Sequence, residues 1–225
     1  MEENNDQQYF FNFSFFKIDS KWRWMADLAK EESAKEVENI ILNSGIKFRS
    51  YSTLGLRDDA EFLFWFASES IDEIQDVISK LYLTVFGKYI TPSHVYLSCT
   101  RPSAYAKKGT PSSFLVGNEP EKFVIVYPFT KTREWYLLPP EQRQKMMDQH
   151  IRVSEKYPQV TLNTTYSFGI GDQDFMLAFE CDDLRDFQNL IMDLRQTKVS
   201  AYVAVDTPMI VCVKKDIVPL ITSLG

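Results

Sequence analysis

The sequence predicts an α+β protein made by duplication: two ferredoxin-like units, each a four-stranded antiparallel sheet with its helices on one side. The two sheets pack together or close as a dimeric α+β barrel, with the helices outside. Three observations predict this. Runs of aromatic and β-branched residues alternate with stretches of helical period in the order β-α-β-β-α-β. The same order then recurs in the second half. The two halves also match residue by residue: Phe62 and Phe175 are 113 positions apart (175 − 62), as are Phe66 and Phe179, Ile71 and Leu184, Ile74 and Phe187, Gln75 and Gln188, Ile78 and Ile191, and Leu81 and Leu194. One such pair is chance, but seven at one offset, spanning a strand and a helix, indicate an internal repeat.

Residues 1–8, MEENNDQQ, are polar and read as a frayed tail. Tyr9 to Ile18 is aromatic-rich and reads as a strand. Asp19 or Ser20 caps a helix from Lys21 to Asn43, whose Met25, Leu28, Val37, Ile40 and Ile41 keep a helical period and which Gly45 ends. Ile46 to Leu54 and Glu61 to Ala67 are strands joined through Gly55-Leu-Arg-Asp-Asp, Ser70 caps a helix from Ile71 to Leu83, and Val95 to Thr100 closes the first copy, residues 1–100. Residues 101–121, rich in Pro, Ser, Lys and Gly, form a long connection. The second copy, 122–225, starts with a strand from Lys122 to Phe129. Pro139 and Pro140 open a helix carrying His150. Strands follow at Thr161 to Phe168 and Phe175 to Glu180, around Gly169-Ile-Gly-Asp-Gln. Asp182 or Asp183 caps a helix to Arg195, and Tyr202 to Val213 is the last strand.

Composition narrows the functions open to the chain. The 225 residues are 44% hydrophobic and 14% aromatic, enough for a sizeable core. A net charge of −6 argues against nucleic acid as a main partner. No apolar run approaches the roughly 20 residues of a membrane span, and the acidic, polar start is unlike a signal peptide, so the expected location is the cytoplasm. Cys99, Cys181 and Cys212 stand apart, and the histidines are only His94 and His150, so a multi-ligand metal site has little to work with. A prosthetic group that needs one protein ligand fits better.

His150 lies on the apolar stripe of its helix with Met146, Met147, Ile151, Ser154 and Tyr157, and Tyr127, Lys131 and Trp135 sit at or just past the end of the preceding strand. An inward imidazole near a phenol, an amine and an indole suits a haem pocket. On residue pattern alone, a packed core histidine remains the alternative. His94, after Pro92-Ser93 at a strand entrance, reads as structural, and Met146 and Met147 read first as core fillers.

The run Tyr127-Pro-Phe-Thr-Lys131, then Glu134-Trp-Tyr-Leu-Leu-Pro139, Arg143 and Met146-Met-Asp-Gln-His150 resembles the chlorite dismutase-like superfamily, and within it the coproheme decarboxylases. Asn163-Thr-Thr-Tyr-Ser-Phe-Gly169, Asp172-Gln-Asp-Phe175, Leu194-Arg195, Tyr96-Leu-Ser-Cys and Tyr105 continue the match over nearly the whole chain. The resemblance implies haem b or iron-coproporphyrin III in the second half, with His150 as iron ligand, Tyr127 as the residue oxidised to a radical, Lys131 at a propionate, and Trp135 and Met147 in the pocket wall. It implies an oxidoreductase that uses hydrogen peroxide to convert two propionates to vinyl groups, assembled as a homopentamer. The alternatives are a weak haem peroxidase or chlorite-decomposing enzyme, and a haem-binding or sensing protein without turnover. Three positions depart from the pattern. Leu162, with Asn163 beside it, stands where the superfamily places a distal glutamine or arginine. Ser113 falls near a propionate-clamping arginine. Val199, in Lys198-Val-Ser-Ala201, replaces a glutamate that supports the proximal histidine in chlorite dismutases.

Overall fold

The computed structural model describes residues 7–103, 105 and 112–225. Its regular elements, in chain order, are β1 (Phe10–Ile18), α1 (Asp27–Leu42), β2 (Lys47–Ser52), β3 (Phe62–Ser68), α2 (Ile71–Leu83), β4 (Ile90–Cys99), β5 (Phe123–Lys131), α3 (Arg133–Leu137), α4 (Pro140–Ser154), β6 (Thr161–Tyr166), β7 (Phe175–Cys181), α5 (Leu184–Arg195), β8 (Val203–Val205), β9 (Ile210–Lys214) and α6 (Ile217–Thr222). The chain divides into two compact α+β units, one running to Thr100 and including Cys212–Gly225, the other Arg101–Val211.

In the first unit β4, β1, β3 and β2 are antiparallel neighbours in that order, with Phe13 opposite both Tyr96 and Trp65, and Ser50 opposite Phe64. Val213 and Lys214 extend the edge of β2 opposite Ser52 and Tyr51. Strand alternation sends Phe16, Phe62, Phe64 and Phe66 to one face, where α1, α2 and α6 bury them under Val37, Ile41, Ile74, Leu81, Leu220 and Ile221. His94 lies within β4, opposite Phe15, rather than at a strand entrance. Its Nε2 is 3.0 Å from Asp59 Oδ2, and Asp59 also takes a forked ion pair from Arg57.

In the second unit the antiparallel neighbours are β6, β7, β5 and β8. The repeat is visible in its caps. Ser70 and Asp183, again 113 apart (183 − 70), each accept the backbone N–H two residues on and start α2 and α5. Gly55 and Gly169, in the matching turns before β3 and β7, both have positive φ, 74° and 77°.

Several elements differ from the expectation: β4 begins at Ile90 rather than Val95, and α3 is a short helix that was not expected. The helix expected from Lys21 is broken: Ser20–Trp24 is a single 3₁₀ turn capped by Asp19, Met25 and Ala26 are extended, and α1 begins at Asp27. The break lets Trp22, fully buried, pack on Phe86 and Tyr89, which outweighs the helical period. The last strand is two strands, β8 and β9, with a cis Thr207–Pro208 bond between them. A final helix, α6, follows; at six residues it is too short to show a period in the sequence.

Candidate functional site

In the second unit, three cross-strand rows face the helices: Ile125–Phe179–Leu162, Tyr127–Leu177–Thr164 and Phe129–Phe175–Tyr166. Directly opposed residues project from the same side of a sheet. Ile125, Tyr127 and Phe179 are buried under Phe187, Leu190 and Leu194 of α5 and Val153 of α4. Leu177, Phe129, Phe175 and Tyr166 are half-buried, Thr164 is exposed, and Leu162 is 44% exposed. Among the described residues, the helices therefore cover the β5 side of this face and leave the β6 side open. An open apolar face beside a helix suits a flat, apolar ligand.

The helix is α4, opened by proline at its first turn and carrying the predicted stripe: Met146 is buried, and Met147, His150, Ile151, Ser154 and Tyr157 are half-buried. Nδ1 of His150 is buried and has no hydrogen-bond partner among the described residues. Burial, helped by the nearby Lys131 ammonium, pulls the His150 pKa down to about 4. The imidazole is therefore neutral near pH 7, the state in which it ligates a metal. Among the described residues no three His, Cys, Asp or Glu side chains gather where they could hold a metal ion. Among the described residues, His150 is the imidazole beside this face.

Lys131 ends β5. Its backbone N–H donates to Asp174 Oδ2 (2.8 Å), and the same oxygen accepts the Tyr136 hydroxyl (2.6 Å). Lys131 Nζ donates to the Val199 carbonyl at 3.4 Å and lies 4.9 Å from the centroid of the Trp135 ring. Its burial lowers the amine pKa to about 8. Trp135, on α3, is buried with Met146 and Val199, and Met147, Tyr105 and Tyr202 pack around it. Arg143 Nη1 donates to the Tyr105 hydroxyl (3.4 Å) and Gln144 Nε2 to the Tyr105 carbonyl (3.3 Å), so two residues of α4 fix that tyrosine.

Lys131, Trp135, Met147 and His150 thus form one neighbourhood. Tyr127 belongs to a different core group, the one under α5, 4% exposed and stacked on Phe179 with centroids 6.0 Å apart. Burial holds its phenol proton well above the usual range; the Asp206 carboxylate adds to this and Arg195 opposes it. Leu162 stands on the open face in line with Phe179, while Asn163, the next residue along the strand, points the other way. There Asn163 Nδ2 donates to Glu180 Oε1 (2.7 Å), and its Oδ1 accepts from Ser112 (2.6 Å) and Ser113 (3.1 Å). Ser113 also bonds Glu180, so it too belongs to the opposite face of the sheet. Asp174, Arg195 and Asp206 carried no expectation of a role. Asp174 lies in the quoted run Asp172-Gln-Asp-Phe175, but its bond to Lys131 crosses 43 residues and exists only once the strands are in register.

Among the described residues, no helix is long and apolar enough to cross a membrane. A family model described as chlorite dismutase matches residues 29–215. A coproheme decarboxylase of Mycolicibacterium smegmatis is 35% identical over 159 residues, covering 70% of this chain and 68% of that protein. A protein of Halobacterium salinarum named for heme binding is 29% identical over 162 residues, covering 63% of this chain but only 33% of its own length. The solved structure of chlorite dismutase from Candidatus Nitrospira defluvii in complex with imidazole superposes with a TM-score of 0.87 at 23% identity, covering 96% of this chain and 94% of that one. At that identity the superposition shows the fold. The family match over most of the chain, together with the 35% identical relative, shows the membership: the chain belongs to the chlorite dismutase family.

Proposed function

We propose that the second unit binds an iron porphyrin through His150 and that the chain is a coproheme decarboxylase, turning iron-coproporphyrin III into haem b with hydrogen peroxide. The observation that carries the reading is the His150 ring: neutral, on the helix beside an open apolar sheet face, with a buried nitrogen that has no partner among the described residues. Buried ring nitrogens are usually paired, so one without a partner among the described residues favours a ligand role over packing alone. The coproheme decarboxylase relative points the same way.

With peroxide, the bound group supplies the oxidation: each propionate loses carbon dioxide, two electrons and a proton, and one peroxide is reduced to two waters. The chain's own residues hold the carboxylate and the protons. Lys131 is protonated near neutral pH yet close to its midpoint, so its ammonium can hold a propionate and exchange a proton at Nζ. Val199 O and the rings of Trp135 and Phe129 orient it. Tyr127 keeps its proton at Oη through burial and would be the phenol oxidised, with Phe179 stacked on it. Trp135 and Met147 pack together and would form an apolar wall beside the group.

The test is an absorbance titration of apoprotein with iron-coproporphyrin III and with haem b, for wild type and His150→Ala. A Soret shift in wild type that His150→Ala lacks is expected. Peroxide then yields the mass loss of two carbon dioxides and four hydrogens, and Tyr127→Phe stops it. A second reading, haem binding without turnover, draws support from Leu162, an aliphatic side chain on the open face; a Soret band with no mass loss would select it. The homopentameric ring belongs to the same proposal and is tested by light scattering.

A further inference from the structure

One ion pair lies beside Tyr127 and has no part in the chemistry above. Arg195 is the last residue of α5, and its Nη2 is 3.2 Å from Asp206 Oδ2. Both residues converge on the phenol for structural reasons. Phe187, Leu190 and Leu194 of α5 pack in the same core group as Tyr127, which brings the end of that helix to it. Val205 of β8 pairs with Thr130, three residues along β5 from Tyr127, and Asp206 is the residue that follows it. Both charges act on the phenol: Asp206 favours its protonated form and Arg195 its ionised form. A ligand carboxylate placed at Tyr127 meets the same pair with different consequences. Arg195 attracts it. Asp206 repels it and already holds that guanidinium.

We propose that Asp206 is a specificity-determining residue that competes with the substrate's carboxylate for Arg195, and so weakens the binding of a porphyrin that still carries a carboxylate there relative to one that has lost it. The proposal rests on the reading in which an iron porphyrin lies on this face with a propionate at Tyr127. Its consequence is directional. Loss of carbon dioxide turns an anion into a neutral vinyl group, and the repulsion from Asp206 ends with it. The fixed charge thus raises the substrate's free energy in the site and leaves the product's alone. The side chains of Arg195 and Asp206 are 66% and 35% exposed, so water and salt screen the pair and the effect is a few-fold.

The experiment titrates apoprotein at low ionic strength with iron-coproporphyrin III, which has four carboxylates, and with haem b, which has two. Wild type, Asp206→Asn, Arg195→Gln and the double variant are compared. Asp206→Asn tightens iron-coproporphyrin by about threefold, the size of an exposed ion pair, and leaves haem b unchanged within error. Arg195→Gln weakens iron-coproporphyrin, and in the double variant the asparagine tightens it less than it does alone, because only the direct repulsion is then removed. High salt removes the gain. Should Asp206→Asn fail to fold, Asp206→Ser is read in the same way. An unchanged ratio of the two dissociation constants in Asp206→Asn, or weaker binding of iron-coproporphyrin, overturns the proposal and leaves the porphyrin reading standing. If wild type binds neither porphyrin, or His150→Ala binds as wild type does, the porphyrin reading fails and the role of Asp206 fails with it.

Discussion

At His150, the proposed function and stability pull in opposite directions. A buried imidazole nitrogen without a partner costs roughly 1–3 kcal/mol of desolvation in the apoprotein. An apolar side chain of similar size removes that cost. His150→Leu is therefore expected to raise the melting temperature of the apoprotein by a few degrees while abolishing the porphyrin Soret shift; a melting temperature that falls by as much would mean that the ring is satisfied in solution. Asp59 shows the opposite balance. Its hydrogen bonds from Arg57, and then from His94, outweigh burial and hold the carboxyl well below the usual carboxylate range. A depressed pKa contributes stability that is present above the unfolded value, about 3.9, and is lost as pH falls below it. Asp59 is 35% exposed, so solvent screening limits the contribution to about 1 kcal/mol. Asp59→Asn should cost about that much at pH 7 by urea unfolding, with the difference from wild type shrinking below pH 4. The sequence exposed His150, Lys131 and Trp135 because each falls on a short-range pattern, a helical stripe or a strand end. The partners that tune them did not show. Asp174 meets Lys131, and Asp206 meets Arg195, only after strands and helices have been brought into register.

Elements whose ends are set by local chemistry were legible. Ser70 and Asp183 cap α2 and α5, and Pro140 opens α4, as the residue types require. Where tertiary packing decides, the pattern misled: the pull of Trp22 into the core breaks the helix expected from Lys21, and α6 is too short to announce itself. The corner between β5 and α3 is set in neither way. One oxygen of Asp174 accepts both the Lys131 backbone N–H and the Tyr136 hydroxyl, and the Asp174 N–H donates to the Phe129 carbonyl at 3.1 Å. The corner delivers Lys131 and Trp135 to α4. Asp174→Ala strips two donors of their acceptor and should cost about 2 kcal/mol, with faster hydrogen exchange at the Lys131 amide. Asp174→Asn keeps an oxygen in the same place and should recover most of both. If asparagine behaves as alanine does, the charge rather than the geometry holds the corner.

On the scale of the whole molecule, duplication supplied two equivalent sheet faces, and different cover gave them different fates. Phe62, Phe64 and Phe66 of β3 correspond at the same offset to Phe175, Leu177 and Phe179 of β7 (177 − 64 = 113). The three in the first unit are fully buried, whereas Phe175 and Leu177 are half-buried and lie on the open face. The difference is α6. Leu220 and Ile221, fully buried, and Leu224, nearly so, join the phenylalanines of the first unit together with Trp22. The helix that follows the last strand thus fills in one copy the kind of space that the other keeps open. Its few apolar residues carry a disproportionate share of the first unit's stability. Leu220→Ala should cost about 2–5 kcal/mol, the range for truncating a fully buried leucine, and should loosen amide protection in α1 and β1–β4. Removing Ile217–Gly225 should go further and expose the phenylalanine face, so that the truncated chain binds an apolar fluorescent dye that the full chain excludes. If the truncated chain keeps wild-type protection in β3 and takes up no dye, α6 is not the cover that separates a filled copy from an open one.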